Sequence, residues 1–315
     1  MFAYAKVKEA IENAKAITIL SHINPDADTL GTALGIYTIL KEHTKKNIEV
    51  VNVSNTLPPY LDFLPHFKKI KQKIEYSDSL MITCDGGNID RFGVDISQRQ
   101  IINIDHHQSN TYFGTVNIVE PNYASASQVA FKLFHEIYTV NRTAATCFYV
   151  ALISDTQYLT TSSVTSEVFD VVKSLIDLGA KPVEVAYHLK QRKSLSSIRL
   201  LAKALNVLTL SHDAKVASIM ITQEDIIASG ATMHDMEGIV DYAKSLATVE
   251  IAICMMEIDN TLRVSVRSKG IDIIPLALAF GGGGHKVAAG FTLKQYTLQE
   301  SKGIILHKIE KLGLI

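Results

Sequence analysis

The sequence predicts an α/β protein with two domains, a parallel sheet with helices on both faces followed by a smaller α/β domain. Three observations lead to this prediction. The first half alternates short apolar segments with helical patterns, which is typical of a parallel sheet buried on both faces. The second half has longer segments in which apolar and polar residues alternate, as in strands with one solvated face. The length of 315 residues suits two ordinary domains.

The first domain is predicted to span residues 1–190 and to include the start of a helical connector. Its predicted strands are 16–21, 48–53, 79–84 and 100–104, and its predicted helices are 29–42, 125–139 and 142–153. Ser125 suits the N-cap of the second of these helices. From about 166 to 210 the pattern is helical and more charged, with breaks at Gly179 and Pro182. We interpret this stretch as helical packing plus the connector.

The second domain is predicted to span residues 191–315. Its predicted strands are 215–222, 249–257, 261–268 and 290–293, with a helix near 272–280. The dipeptide Asp259-Asn260 favours a tight hairpin turn between the second and third of these strands.

Composition excludes several classes of protein. Apolar residues make up 47% of the chain and charged residues 20%, which is ordinary for a globular protein, and the net charge is −1. No global basic field therefore attracts long nucleic acid, although a short nucleotide needs only a local cationic pocket. The N-terminal amphipathic pattern lacks the apolar core of a signal peptide, and no apolar run approaches the ~20 residues of a membrane span. We expect a cytoplasmic protein with no membrane partner.

Acidic and imidazole side chains follow three of the predicted strands in the first domain. Residues 22–28 (HINPDAD) follow the first strand, and Pro25 stiffens this loop. Asp85 follows the third strand, and residues 105–107 (DHH) follow the fourth. Because the carboxyl ends of parallel strands meet at one edge of the sheet, we expect these side chains to lie together. Asp155 follows a helix that can return to the same edge.

A single Asp at a strand end is usually a helix cap or a turn former, and a single His is usually structural. The joint pattern favours a different interpretation. Four or five carboxylates in one cleft repel each other unless cations neutralise them. Two divalent cations would balance four carboxylates, with imidazoles completing the ligand set. Oxygen and imidazole ligands without a thiolate suit manganese or magnesium better than structural zinc.

These segments together resemble the DHH phosphoesterase family, whose name is the triplet at residues 105–107. The family's motifs occur here in order, as HxNPDxD at 22–28, an isolated Asp85, DHH, and SDT at 154–156. The second half resembles the DHHA1 domain through VSVRSKG and FGGGGHKVAAG. Within the family, the architecture is most similar to the NrnA-type branch, which degrades very short RNA and dephosphorylates 3′-phosphoadenosine 5′-phosphate (pAp).

The resemblance implies a hydrolase with two divalent metal ions, manganese being the most expected and magnesium the alternative. One ion would be held by His22 and Asp26, and the other by Asp28, His106 and Asp155. Asp85 would bridge the two ions.

The resemblance also assigns catalytic roles near these ligands. His107 would face the substrate phosphate, Asp105 would orient the neighbouring histidines, and Asn24 would support the loop or contact a bridging water. A pair of metal ions can bind both the attacking and the leaving oxygen and can activate water. No protein nucleophile is then required.

The second domain is expected to select the substrate. The glycines at 281–284 can cradle a phosphate because no Cβ blocks the backbone N–H groups, although a surface turn explains such a run equally well. Arg267 and Ser268 offer donors for a phosphate or a carboxylate. With the resemblance, the expected substrate-binding residues are Arg267, Ser268, Gly282, Gly283, Gly284 and His285. The expected substrates are short oligoribonucleotides, linear dinucleotides and pAp, bound in a cleft between the domains.

Other functions remain open at this stage. A cyclic-dinucleotide phosphodiesterase of the c-di-AMP type shares the two-domain plan, whereas an inorganic pyrophosphatase should lack the GGGGH segment. An exonuclease for long single strands needs a basic, aromatic groove, and the chain has no Trp. A non-catalytic nucleotide sensor should have lost a metal carboxylate, and none is lost. The segment 157–161 (QYLTT) departs from the NrnA-type pattern, and the resemblance is also compatible with a homodimer.

Overall fold

A computed structural model describes residues 2–236 and 238–315 of the chain. It divides the chain into two units, Met1–Arg192 and Lys193–Ile315, each with its own sheet. The three cysteines are buried within these units. Across the described residues, no helix combines the length and the apolar character needed to cross a membrane.

The first unit contains a six-stranded sheet in which every neighbouring pair of strands is parallel, as the sequence predicts. The strands are β1 (Ala16–Ser21), β2 (Asn47–Val51), β3 (Ile70–Lys71), β4 (Leu80–Cys84), β5 (Ile101–Asp105) and β6 (Val116–Val119). The helices are α1 (Phe2–Asn13), α2 (Ala27–His43), α3 (Ala126–Ile137), α4 (Arg142–Asp155), α5 (Ser166–Asp177) and α6 (Pro182–Lys190).

The predicted strands in this unit are confirmed. Their segments are largely apolar, and β1, β4 and β5 are buried at every residue. The edge strands β3 and β6 were not predicted. Each has four residues or fewer, and both are largely half-buried, so neither carries an apolar run long enough to recognise. Ser125 caps α3 as predicted, since its side chain accepts from the Gln128 N–H.

The strand order β3-β2-β1-β4-β5-β6 creates a crevice between β1 and β4. After β1 the chain adds β2 and β3 on one side, and it then crosses over to add β4, β5 and β6 on the other side. In open parallel sheets, ligands bind at the carboxyl ends of the strands at such a switch point. The topology therefore places the ends of β1 and β4 where a ligand is expected.

Two glycines in α2 let α4 approach it closely. A Cβ on Gly31 would lie 2.6 Å from the Cys147 carbonyl oxygen, and a Cβ on Gly35 would lie 2.6 Å from the ring of Phe148. Real Cβ atoms do not approach that closely, so glycine is required at both positions. The close packing fixes α4 against α2, and α4 ends at Asp155.

The second unit contains a mixed sheet of order β11-β12-β10-β9-β8-β7, in which β8 and β9 run parallel and the other neighbouring pairs run antiparallel. The strands are β7 (Thr209–Ser211), β8 (Val216–Ile221), β9 (Ile251–Ile258), β10 (Thr261–Ser268), β11 (Gly283–His285) and β12 (Ala288–Lys294). The helices are α7 (Leu195–Asn206), α8 (Gln223–Ser229), α9 (Ile239–Lys244), α10 (Ile274–Ala279) and α11 (Leu298–Lys311). Apolar clusters cover both faces of the sheet.

The predicted hairpin between β9 and β10 is confirmed. Asp259 and Asn260 have φ values of 46° and 60°, and a type I′ turn needs positive φ at both central residues. Asp and Asn tolerate this conformation better than most residues do.

Candidate metal centre

The carboxyl ends of three adjacent strands bring the predicted ligands together. His22 follows β1, Asp85 follows β4, and Asp105 is the last residue of β5. The pairs β1–β4 and β4–β5 are parallel and in register, so the chain leaves all three strands at the same edge of the sheet. Asp85 has a left-handed φ of 62°, and its N–H donates to the Ile104 carbonyl.

Asp85 lies between two groups of possible ligands. On one side, its Oδ2 is 3.4 Å from His22 Nε2, which is also 3.8 Å from Asp26 Oδ2. On the other side, its Oδ1 is 3.5 Å from His106 Nε2. A single carboxylate therefore faces both groups with different oxygens.

The second group is completed by two more acids. His106 Nε2 lies 3.9 Å from Asp28 Oδ2 and 3.7 Å from Asp155 Oδ2. Within each group, one ligand atom per residue lies within 4.8 Å of the others, and the same holds for Asp85, His106 and His107. The structure thus gathers all six residues that the sequence suggested as metal ligands: His22, Asp26, Asp28, Asp85, His106 and Asp155.

Backbone carbonyls fix which nitrogen of two histidines faces the acids. His22 Nδ1 lies 2.8 Å from the Ile23 carbonyl, and His106 Nδ1 lies 3.2 Å from the Tyr123 carbonyl. A carbonyl only accepts, so these contacts favour the proton on Nδ1 of each ring, and a neutral ring in that tautomer presents its lone pair at Nε2. Both rings are therefore held in the tautomer that a metal ligand needs.

Main-chain donors orient two of the acids. Asp26 is the N-cap of α2, and its Oδ1 accepts from the N–H groups of Asp28 and Thr29. Asp28 accepts from Ala126 N–H at 2.7 Å and from Ser127 N–H at 3.1 Å, both at the start of α3. These main-chain donors at helix starts hold both acids in defined directions.

The pKa shifts of the acids and histidines show that the negative charge of the centre is not balanced. Burial raises the pKa of Asp28 to about 7, and the charge of Asp85 adds to this. Burial and the charge of Asp28 raise the pKa of Asp155 well above its usual value. Burial alone would lower the pKa of His22, but hydrogen bonds to Asp26 and Asp85 outweigh it and raise that pKa to about 10. Without a cation, the centre therefore retains protons that a bound metal would displace.

The residues fit a divalent cation. Asp85 Oδ1 is buried and accepts no hydrogen bond within the described part of the chain, although buried carboxylate oxygens normally have a partner. The ligand atoms are carboxylate oxygens and imidazole nitrogens, without a thiolate. A cation would give the orphan oxygen a partner and offset the repulsion among the acids.

Among the described residues, Asp105 contacts His107 and not His106, which corrects the expectation that it orients both histidines. Its Oδ1 lies 2.7 Å from His107 Nδ1, and its Oδ2 accepts from Asn110 Nδ2 at 2.6 Å. His106 is held by the Tyr123 carbonyl instead. Burial alone would lower the pKa of His107, but the hydrogen bond to Asp105 outweighs it and raises that pKa.

Several contributors to the centre carry no recognisable sequence signal. Tyr123 acts through its carbonyl, a group that every residue possesses. Arg91 places Nη2 3.4 Å from His22 Nδ1, and its carbonyl accepts from the Ile23 N–H.

Asn24, one of the predicted site residues, lies in the exposed part of its loop with φ 52°, and its N–H donates to Ser54 Oγ.

In the second unit, the neighbouring residues Arg267 and Ser268 make different kinds of contact. Arg267 Nη1 donates to the Val266 carbonyl, and its Nε lies 3.9 Å from Asp241 Oδ1. Ser268 is buried, and its hydroxyl donates to the Ile271 carbonyl. The expectation that both side chains offer donors to a ligand is therefore corrected for Ser268, because its only hydroxyl proton closes a turn.

The glycine run is not the loop that the sequence suggested. Gly283, Gly284 and His285 form β11, which pairs with β12 at the edge of the sheet. A Cβ on Gly282 would lie 2.1 Å from the Gly290 carbonyl oxygen, and a Cβ on Gly284 would lie 2.5 Å from the Ala288 carbonyl oxygen. Both glycines are thus required by close strand packing, whereas a Cβ on Gly283 meets no atom within 4 Å in the described chain.

The fold and the centre together define a metal-dependent hydrolase of the phosphoesterase class. Residues 16–152 match the DHH family, N-terminal domain, and residues 213–312 match the DHHA1 domain. The chain therefore contains a DHH domain and a DHHA1 domain, as the motifs suggested.

Three known proteins match this chain over more than nine tenths of their own length. The bifunctional oligoribonuclease and PAP phosphatase NrnA of Thermus thermophilus is 28% identical over 98% of this chain and 92% of its own length. The enzyme with the same name from Bacillus subtilis is 27% identical and is covered equally well, at 92% of each chain. The crystal structure of an exopolyphosphatase-related protein from Bacteroides fragilis superposes with a TM-score of 0.92 at 24% identity, covering 99% of this chain and 97% of that one. This last likeness shows the shared fold.

A fourth relative represents the cyclic-dinucleotide alternative. The cyclic-di-AMP phosphodiesterase PdeA of Listeria monocytogenes is 24% identical over 96% of this chain, but the match covers only 49% of PdeA. Half of that protein therefore has no counterpart in this chain.

Proposed function

We propose that this chain hydrolyses short oligoribonucleotides, including linear dinucleotides, to mononucleotides, and pAp to AMP. The observation that carries the proposal is the pair of ligand groups that share Asp85. The substrate assignment is supported by two relatives named as oligoribonuclease and PAP phosphatase, both of which match this chain over nearly its full length.

We propose that His22 and Asp26 hold one divalent cation, that Asp28, His106 and Asp155 hold a second, and that Asp85 contacts both. Manganese is the first choice and magnesium the alternative, because the ligands are oxygens and imidazole nitrogens. Bound there, two divalent cations would polarise a phosphoryl oxygen and lower the pKa of water enough to supply hydroxide.

His107 is proposed to act on the substrate. Asp105 Oδ1 accepts the proton on its Nδ1, which aims the opposite nitrogen, Nε2, away from the buried acid. The ring can therefore donate from Nε2 to a phosphate oxygen in its protonated form, while Asp105 stabilises the positive charge. Asn110 holds the other oxygen of Asp105, so the orientation of the acid does not depend on the histidine alone.

In the second unit we propose Arg267, the glycine strand β11 and His285 as the surface for the substrate's remaining groups. Arg267 is the strongest member of this set because its guanidinium can bind a phosphate with two parallel hydrogen bonds. The backbone of Gly283 stays approachable because it lacks a side chain on an exposed edge strand.

Substitutions at Gly282 and Gly283, the two middle glycines of the run, should distinguish an effect on folding from an effect on substrate binding. Gly283→Ala is expected to keep the melting temperature of the protein, because the new methyl group meets no atom within 4 Å and φ lies outside the left-handed region. If a phosphate approaches this backbone, the same variant should raise KM for pAp. Gly282→Ala is the matched control and should lower the melting temperature, because its Cβ collides with the Gly290 carbonyl. Unchanged KM in Gly283→Ala would remove β11 from the proposed surface.

A parallel substrate assay tests the proposed activity. Purified protein with manganese should release mononucleotides from a 5′-phosphorylated RNA dinucleotide and AMP from pAp, and a chelator should stop both reactions. A cyclic dinucleotide and pyrophosphate complete the set. Cleavage of either of these, with the linear dinucleotide left intact, would contradict the proposed substrates.

A further inference from the structure

We infer that residues 120–127 form a support that sets the affinity of the second metal group, and that Tyr123, Lys132 and Glu167 clamp this support in place. The inference rests on the proposed function, since it concerns the cation that Asp28, His106 and Asp155 would hold. Glu167 and Tyr123 act in it as positioning residues, with no contact to substrate.

One short segment provides the hydrogen bonds behind two of the three ligands. The Tyr123 carbonyl accepts from His106 Nδ1, and three residues later the N–H groups of Ala126 and Ser127 donate to Asp28. A shift of this segment would therefore turn the imidazole and the carboxylate together. Partners behind metal ligands typically change metal affinity by ~10–100-fold when they are removed.

The clamp attaches the segment to two helices. The Tyr123 hydroxyl donates to Glu167 Oε1 at 3.1 Å, and Glu167 lies in the first turn of α5. Lys132 in α3 pairs with the same Glu167 oxygen, and its Nζ lies 4.9 Å from the centre of the Tyr123 ring. The ring is thus held at its hydroxyl and over its face, which fixes the residue whose carbonyl supports His106.

A backbone hydrogen bond also ties the segment to β5, the strand that His106 and His107 follow. The Glu120 N–H donates to the Asp105 carbonyl, and the Tyr123 N–H donates to the Glu120 carbonyl. The stretch between β6 and α3 therefore has fixed points at both ends, and the clamp holds its middle.

The first metal group has different supports. His22 Nδ1 faces the Ile23 carbonyl, and Asp26 accepts from the N–H groups of its own helix. None of these partners belongs to the clamp. Loosening the clamp should therefore weaken one of the two proposed cations and leave the other unchanged, whereas general destabilisation would affect both.

The test is a calorimetric titration of metal-free protein with manganese, which needs no substrate. Tyr123→Phe removes the hydroxyl that donates to Glu167, and Glu167→Gln removes the negative charge that attracts Lys132; neither change adds bulk. We expect wild type to bind two ions, and each variant to weaken only one of them, by about threefold to tenfold, below the ~10–100-fold typical of direct partners of a ligand. Excess manganese should restore hydrolysis in both variants.

Asp177→Asn is the matched control, since it lies on the same helix α5 and also removes a carboxylate that pairs with a lysine, Lys173. It should bind both ions as wild type does. Equal isotherms for the clamp variants and this control, or equal weakening of both ions, would overturn the inference while leaving the proposed activity standing. A wild-type protein that binds fewer than two ions would overturn the inference and the two-metal part of the proposed function together.

Discussion

Asp85→Asn is expected to abolish hydrolysis and to weaken binding of both proposed cations. Asp85 is the residue whose two oxygens face the two ligand groups, at 3.4 Å from His22 Nε2 and 3.5 Å from His106 Nε2. Metal ions contribute several kcal/mol of transition-state charge stabilisation, and losing this corresponds to a rate loss on the order of a thousandfold or more. Initial rates with manganese and a linear RNA dinucleotide, together with a manganese titration, measure both effects.

The substitution is chosen to preserve the fold. Asp85 has φ 62°, a conformation that Asn adopts more readily than most residues do. The variant loses attraction to two histidines but is relieved of repulsion from Asp28 and Asp155, so these effects oppose each other in metal-free protein. Its thermal unfolding should therefore resemble that of metal-free wild type. The control is Asp95→Asn, because Asp95 is an exposed acid of the same unit that accepts hydrogen bonds from Ser97. Activity retained in Asp85→Asn would contradict the shared-ligand site.

Glu49→Ala is expected to cause the largest loss of stability in the first unit. The Glu49 side chain is fully buried in β2 and accepts from Thr18 Oγ1 in β1 and from Lys71 Nζ. It also accepts from the N–H groups of Glu75 and Tyr76. Its removal leaves the N–H groups of Glu75 and Tyr76 without their acceptor, at about 1–3 kcal/mol each, and leaves Lys71 with Glu75 as its remaining acceptor. Amide hydrogen exchange of β1 and β2 under native conditions measures this loss directly.

Glu75→Ala is the matched control because Glu75 pairs with the same Lys71, but from an exposed position. Surface ion pairs contribute about 1 kcal/mol or less, so exchange in β1 and β2 should change little. Both variants lie away from the metal centre and should bind manganese as wild type does while they remain folded. Similar exchange rates in the two variants would show that Glu49 does not anchor the sheet.

Local sequence was sufficient to predict the strands that are buried along their whole length. The strands β1, β4 and β5 are largely apolar and buried throughout, and His22, Asp85 and Asp105 lie at their ends. A parallel sheet forces such ends to one edge, so the meeting of these residues followed from sequence order and sheet type alone. The hairpin at Asp259-Asn260 was predictable for a similar reason, since two adjacent residues determine the turn.

Tertiary contacts decided what the sequence left open. The glycine run reads as a loop because glycine lowers strand propensity, but the close approach of β12 makes glycine the residue that fits at Gly282 and Gly284. Ser268 was predicted to donate to a ligand, but in the folded chain its hydroxyl donates to the Ile271 carbonyl and closes a turn. The sequence gives no sign of the role of Glu49, because its partners at 18, 71, 75 and 76 come together only in the folded sheet.

By itself, the sequence determined the fold class, the kinds of ligand atoms and the edge of the sheet at which they meet. Only the tertiary structure decided that Asp85 faces the two ligand groups with different oxygens, and that the Tyr123 carbonyl supports His106. The physical reason is that strand periodicity and residue chemistry are local properties. A carbonyl placed seventeen residues from its histidine carries no side-chain signature, and only the path of the folded chain places it there.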